Sequence, residues 1–266
     1  IGMISNLFQA QADLTKATGL VGEKFSQQIQ DLGGQFSNMG MGIEEATSAI
    51  GSLYTKYSNF RNLDKSAQDQ LKVTVMEFEG LGIAADTAVP FLDNLTKSLG
   101  MSRDEAKAAT RGFVAMSHDV KFTAEELMSA FQDVNQDLAA FGDKAIPMFQ
   151  RLAKVADKTG ASLKGLVAIA KQFDTFKGAA EAVGKLNTLM GGNFLDMQNL
   201  MRMGYDERIQ MIRKTVQARM GSFDSMTQQQ KLFVANALGA SSVEEAMKLL
   251  NNQVEKGEDE LKKYGL

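Results

Sequence analysis

The sequence predicts an all-α fold: an array of short amphipathic, Gly-capped helices and helical hairpins that self-associates. Three observations predict it. Only 2 prolines stand among 266 residues, where average usage of ~5% would give about 13. Turn-rich β folds seldom run so low. Apolar residues recur at helical steps of three and four along much of the chain. Finally, Ser102-x-x-Glu105, Thr123-x-x-Glu126, Thr227-x-x-Gln230 and Ser241-x-x-Glu244 each match a capping box. In that box a hydroxyl accepts from the N3 amide and the N3 side chain returns to the cap amide.

In chain order, helices are expected over 2–18, 22–37, 42–60, 65–80, 84–99, 102–118, 123–141, 144–158, 162–190 with a break near Gly178, 194–203, 205–219, 227–238 and 241–256. Leu71, Val75 and Phe78 line one face of the 65–80 helix. Gly100, two residues before Ser102, can end the preceding helix in the left-handed conformation. Leu127, Phe131, Val134, Leu138 and Phe141 form a continuous stripe on 123–141. Ile146, Phe149, Leu152 and Ala156 do the same on 144–158, with Pro147 in the first turn, where a missing N–H costs nothing. Ile209, Ile212 and Val216 give 205–219 its apolar face. No strand is expected. The alternation in Lys72-Val73-Thr74-Val75 is brief and sits inside a helical pattern.

Composition shifts and glycine pairs suggest three segments: N-terminal helices over 1–60, a central helical array over 61–190, and a C-terminal helical segment over 191–266. Gly33-Gly34 and Gly191-Gly192 are the candidate hinges. A polar break around 59–65 carries Asn59, Arg61, Asn62 and Asp64. A Gly–small–x–x–acidic start recurs at Gly42, Gly82, Gly100 and Gly239 without constant spacing. True repetition and convergent capping chemistry both account for it.

Composition excludes much chemistry. There is no cysteine, so no disulfide, thiolate nucleophile, Cys-ligated zinc or iron–sulfur cluster. The single histidine, His118, excludes sites needing two imidazoles. The net charge of −3 is not the basic footprint of a nucleic-acid-binding domain. No apolar run approaches the ~20 residues that cross a bilayer. The start at Ile1, with neither Met nor a basic leader, is expected of a fragment of a longer chain.

The remaining candidates read as structure. His118 and Asp119 are adjacent, so on a helix they do not face each other. The pairs Glu44-Glu45, Glu125-Glu126 and Glu244-Glu245 fall in first turns, where negative charge complements the helix dipole. Gly191-Gly192-Asn193 lacks the Gly-Lys-Ser/Thr of a phosphate loop. Arg202, Arg208, Arg213, Lys214 and Arg219 read as a solvated helix face, with DNA or an acidic wall as the other reading. Of the 16 methionines, Met190, Met197, Met201, Met203, Met211, Met220 and Met226 crowd the last third. They fit either core filling or a surface that repacks between partners.

One stretch is more specific. Phe173-Asp174-Thr175-Phe176-Lys177-Gly178 leads into Leu186-Asn187-Thr188-Leu189-Met190-Gly191-Gly192. Asp206-Glu207-Arg208-Ile209 follows, and then a helix ending in Ala235-Asn236-Ala237-Leu238-Gly239. These blocks resemble the tail length tape measure proteins of tailed bacteriophages, over residues 173–250. Residues 30–170 resemble the family more loosely, in their Gly-capped amphipathic helices.

The resemblance implies a structural protein of the virion. It would lie in the tail tube lumen, set tail length, leave at DNA ejection, and be assembled in the host cytoplasm. It implies no enzyme activity, catalytic residue, metal or cofactor. It implies partners: copies of itself as a trimer or hexamer, tail tube proteins, and tail-tip or baseplate hub proteins. Transient contact with DNA, and membrane contact at ejection, are compatible with it. Leu127, Phe131, Val134, Leu138, Phe173, Phe176, Leu186, Met190 and Phe194 are the candidate partner-interface residues. Two other readings stay open: a cell-wall-degrading or membrane-active tail module, and a cytosolic helical scaffold for protein binding.

Overall fold

The computed structural model describes residues 2–20 and 22–251, and side chains within 6–250. Most of the described residues are helical and none lies in a strand. The chain divides into two units at Gly142 and Asp143. Gly142 sits in a kinked 3₁₀ segment with φ of 56° and ψ of −124°. The joints expected near 60 and 190 fall inside the two units. The last residues of the helix expected over 241–256 lie outside the described part of the chain.

The first unit holds α1 (Gly2–Thr18), α2 (Glu23–Phe36), α3 (Ile43–Lys56), α4 (Lys65–Gly80), α5 (Ala85–Ser98), α6 (Arg103–Ser117) and α7 (Ala124–Leu138). Helix α3 packs against α1, α2, α4 and α5; α5 in turn packs against α4, α6 and α7. Aromatic rings fill both halves of this core. Phe91, Phe113 and Phe131 meet edge to face with centroids 4.8–5.8 Å apart, joining α5, α6 and α7. Phe25, Tyr54 and Phe60 do the same at 5.3 and 4.9 Å. Such edge contacts add about 0.5–1.5 kcal/mol each beyond area burial.

The second unit holds α8 (Ala145–Thr159), α9 (Leu163–Lys171), α10 (Phe176–Met190), α11 (Met197–Arg202), α12 (Tyr205–Met220), α13 (Gln228–Leu238) and α14 (Val243–Asn251). Helix α12 touches α8, α9, α10 and α14, and α10 packs on α13.

Three of the four expected capping boxes form as read: Ser102 with Glu105, Thr123 with Glu126, and Thr227 with Gln230. The fourth is displaced by one residue. The Glu245 amide donates to the Ser242 hydroxyl at 3.1 Å, and the Glu245 carboxylate accepts from the Ser241 amide at 2.9 Å. The long helix expected over 162–190 is also divided, at Thr175 rather than Gly178. Thr175 is extended, with φ of −111°, and its hydroxyl accepts from the Gly178 amide at 3.1 Å. A side-chain cap thus starts a new helix where glycine alone would only weaken one.

Two hinge candidates are corrected. Gly33 and Gly34 lie within α2 in helical conformation. Gly33 is buried because the chain passes directly over it: a Cβ there would stand 2.9 Å from the Gly42 carbonyl oxygen. Gly34 faces open space. The two should therefore answer Ala substitution with opposite sign. G33A should destabilise the protein by about 1–3 kcal/mol through overpacking. G34A should stabilise it by up to about 1 kcal/mol, by the helix propensity of alanine. Urea denaturation of each variant measures both.

Candidate functional site

Two of the blocks that carry the resemblance, the first and the third, meet in the second unit around one side chain. Arg208, on the first turns of α12, is only 3% exposed. Its Nε donates to the Leu200 carbonyl at 2.8 Å. Nη1 donates to the Ala170 carbonyl at 2.9 Å and to Asp174 Oδ1 at 2.6 Å. Nη2 donates to the Met201 carbonyl at 3.1 Å. The guanidinium also stands 5.2 Å from the centre of the Tyr205 ring.

Each partner has a local reason to be there. Ala170 lies in the last turn of α9, and Leu200 and Met201 in the last turns of α11. Carbonyls at helix ends lack intrahelical donors. The planar fork of arginine can serve several at once, and positive charge suits the C-terminal end of a helix dipole. Asp174 ends the short 3₁₀ turn 172–174, anchored by the buried Phe173. Its second oxygen accepts from the Tyr205 hydroxyl. Asp206, 2% exposed, is paired with Arg151 of α8.

The other blocks tie in beside this cluster. Asn187 Oδ1 accepts from the Phe194 and Leu195 amides at 3.1 and 2.9 Å, and its Nδ2 donates to the Leu195 carbonyl at 2.9 Å. These bonds clamp the loop that follows Gly191, which ends α10 with φ of 77°. At Gly192, a Cβ would stand 2.9 Å from the Phe194 ring. This glycine pair therefore builds a closed turn. Gln172 donates to the Leu238 carbonyl at the end of α13, directly before Gly239.

The candidate interface residues separate into two groups. Leu127, Phe131, Val134, Leu138, Phe173 and Leu186 are buried within their own units and are not available to another molecule. The stripe on α7 finds its cover in α5 and α6. Phe176 and Phe194 are 68% and 38% exposed, and Met190 is half-buried. Phe194 carries the Arg219 guanidinium 3.9 Å from its ring centre. His118 is exposed at the end of α6. The three Glu pairs occupy the first turns of α3, α7 and α14. Arg202, Lys214 and Arg219 are exposed and Arg213 is half-buried, as a solvated face requires; Arg208 departs from it. Its position was signalled by the stripe itself, since Arg208 stands four residues before Ile212 on the apolar side of α12.

Chemically, the cluster positions helices: the groups described are engaged with other groups of the chain. Among the described residues no three His, Asp or Glu side chains are grouped to hold a metal ion, and no helix is long and apolar enough to cross a membrane. No known protein family, curated protein or solved structure matches the chain.

R208M leaves the Leu200, Ala170 and Met201 carbonyls without their donor, while Asp174, one-third exposed, keeps its contact with water; it should cost about 1–3 kcal/mol. R208K should recover little of it, because a single ammonium cannot reach acceptors spread over three segments. Urea denaturation followed by circular dichroism measures both.

Proposed function

We propose that this chain is part of a tail length tape measure protein of a tailed bacteriophage, a structural component of the tube lumen released at DNA ejection. The observation that carries the reading is the set of family-like blocks between Phe173 and Gly239. They are not scattered: Asp174 of the first block and Arg208 of the third are hydrogen-bonded at 2.6 Å, and the second and fourth brace the same unit. Residues of the first and third blocks thus bond to each other, and the second and fourth hold segments of the same unit.

On this reading the protein acts by length, packing and release rather than by catalysis. Its partners are copies of itself, as a trimer or hexamer, together with tube and tail-tip or baseplate hub proteins. With the α7 stripe spent inside the first unit, self-association falls to exposed apolar side chains. In the second unit these include Phe176, Leu232 and Phe233.

One observation favours a second reading, a helical scaffold for protein binding: each unit closes its own core. The two readings part in the virion. An in-frame deletion should shorten the tail, and an in-frame insertion lengthen it, when tails are measured by electron microscopy. Tails of unchanged length, or absence of the chain from purified tails, would contradict the tape measure reading.

A further inference from the structure

The turn between α4 and α5 contains a carboxyl group in a setting unlike that of any other acid discussed above. Glu79 lies in the last turn of α4, where the helix dipole disfavours negative charge. Its Oε1 accepts from the Ala85 amide at 3.3 Å, the first residue of α5. The carboxyl thus bridges the turn at 81–84. That turn is otherwise closed by the Gly82 amide on the Glu79 carbonyl and the Ile83 amide on the Phe78 carbonyl, both at 2.9 Å. The second oxygen, Oε2, is shielded from water and makes no hydrogen bond.

The charges around it are largely of its own sign. Glu45 on α3 and Asp86 on α5 both raise the cost of a negative charge on Glu79. Asp86 stays ionised, because Lys56 holds it low at 2.8 Å and Ser52 donates to it as well. The nearby cations are engaged elsewhere: Lys56 is on Asp86, and Lys107 and Arg111 of α6 are on Glu77 at 2.9 and 2.8 Å. From α7, Glu125 takes the Ala84 amide at 2.9 Å. On the remaining side, Gly80 meets the side chains of Met39 and Met41.

We propose that the α3–α4–α5 junction is a proton-operated latch: it is closed while the Glu79 carboxyl carries a proton and loosened when that proton leaves. Protonated, the group keeps its bond to the Ala85 amide and places no charge in the turn. Ionised, it places a shielded negative charge at the C-terminal end of a helix, facing two further carboxylates. The latch therefore biases the pairing of α4 with α5, which together cover α3.

Burial, the largest influence, pushes the Glu79 carboxyl up from 4.5 to about 7; Glu45 and Asp86 add to it, and the Ser48 hydroxyl and Ala85 amide oppose it. The folded state thus holds the proton more tightly than the unfolded chain. The associated stability is fully present below pH 4.5 and is lost as pH rises through about 7.

The test compares the full chain with E79Q, whose amide imitates the protonated carboxyl. The wild type should lose about 3–6 °C of melting temperature between pH 5 and pH 8, and E79Q should lose much less. At pH 8, hydrogen exchange of the 81–86 segment should be at least tenfold faster in the wild type than in E79Q, and equal in the two at pH 5. Parallel melting curves, or equal exchange at pH 8, would overturn the proposal. A titration of the wild-type Glu79 side-chain carbon by NMR keeps the test independent of the variant. A midpoint near 7 supports the latch, and a midpoint in the ordinary carboxylate range refutes it.

Discussion

A guanidinium taken out of water is unfavourable by several kcal/mol unless good geometry offsets it. In this chain Arg208 meets that requirement with four hydrogen bonds. The architecture around it follows from the need to supply those acceptors. Helices α9 and α11 must end beside it, the 3₁₀ turn must present Asp174, and α12 must begin where Tyr205 can also reach that carboxylate. Once these are in place, Ile209, Ile212 and Val216 on the same helix are aimed into the core. A polar anchor thus sets where helices stop, and apolar packing fills in behind it. The arrangement specifies position more than it adds net stability, since the desolvation of the Arg208 guanidinium offsets much of what its bonds contribute.

The first unit is organised differently. Its core is apolar and aromatic, built on α3 and α5 and on two groups of rings meeting edge to face. Here the stripes that suggested contact with other chains are consumed internally. An amphipathic helix declares that something must cover it; it does not declare whether the cover is a neighbour in the same chain. On the proposed tape measure reading this difference matters. Domains with closed cores can be carried along a tube as folded or partly folded pieces, and their removal then depends on the stability of each piece.

What could be read beforehand was mostly local. Thr123, Ser102 and Thr227 announce helix starts because a capping box is complete within four residues. Ser241 and Ser242 are both competent hydroxyls, and the choice between them is made where Glu245 also meets Ser162, far away in sequence. Gly33 looked like a joint because it has a glycine neighbour. Its actual role, admitting the backbone of Gly42, depends on how two segments cross. Arg208 was hidden among other basic residues, and only its register with Ile212 set it apart. The recognisable blocks were visible as strings, but their meeting point was a tertiary fact.

Asp174 and Arg208 tie the first and third blocks into one structural anchor. A double-mutant cycle with D174N and R208M, measured by urea denaturation, puts this to the test. The two substitutions together should cost less than their sum, with a coupling of about 1–3 kcal/mol. Additivity within about 0.5 kcal/mol would contradict it, leaving the two blocks as neighbours without an energetic bond between them.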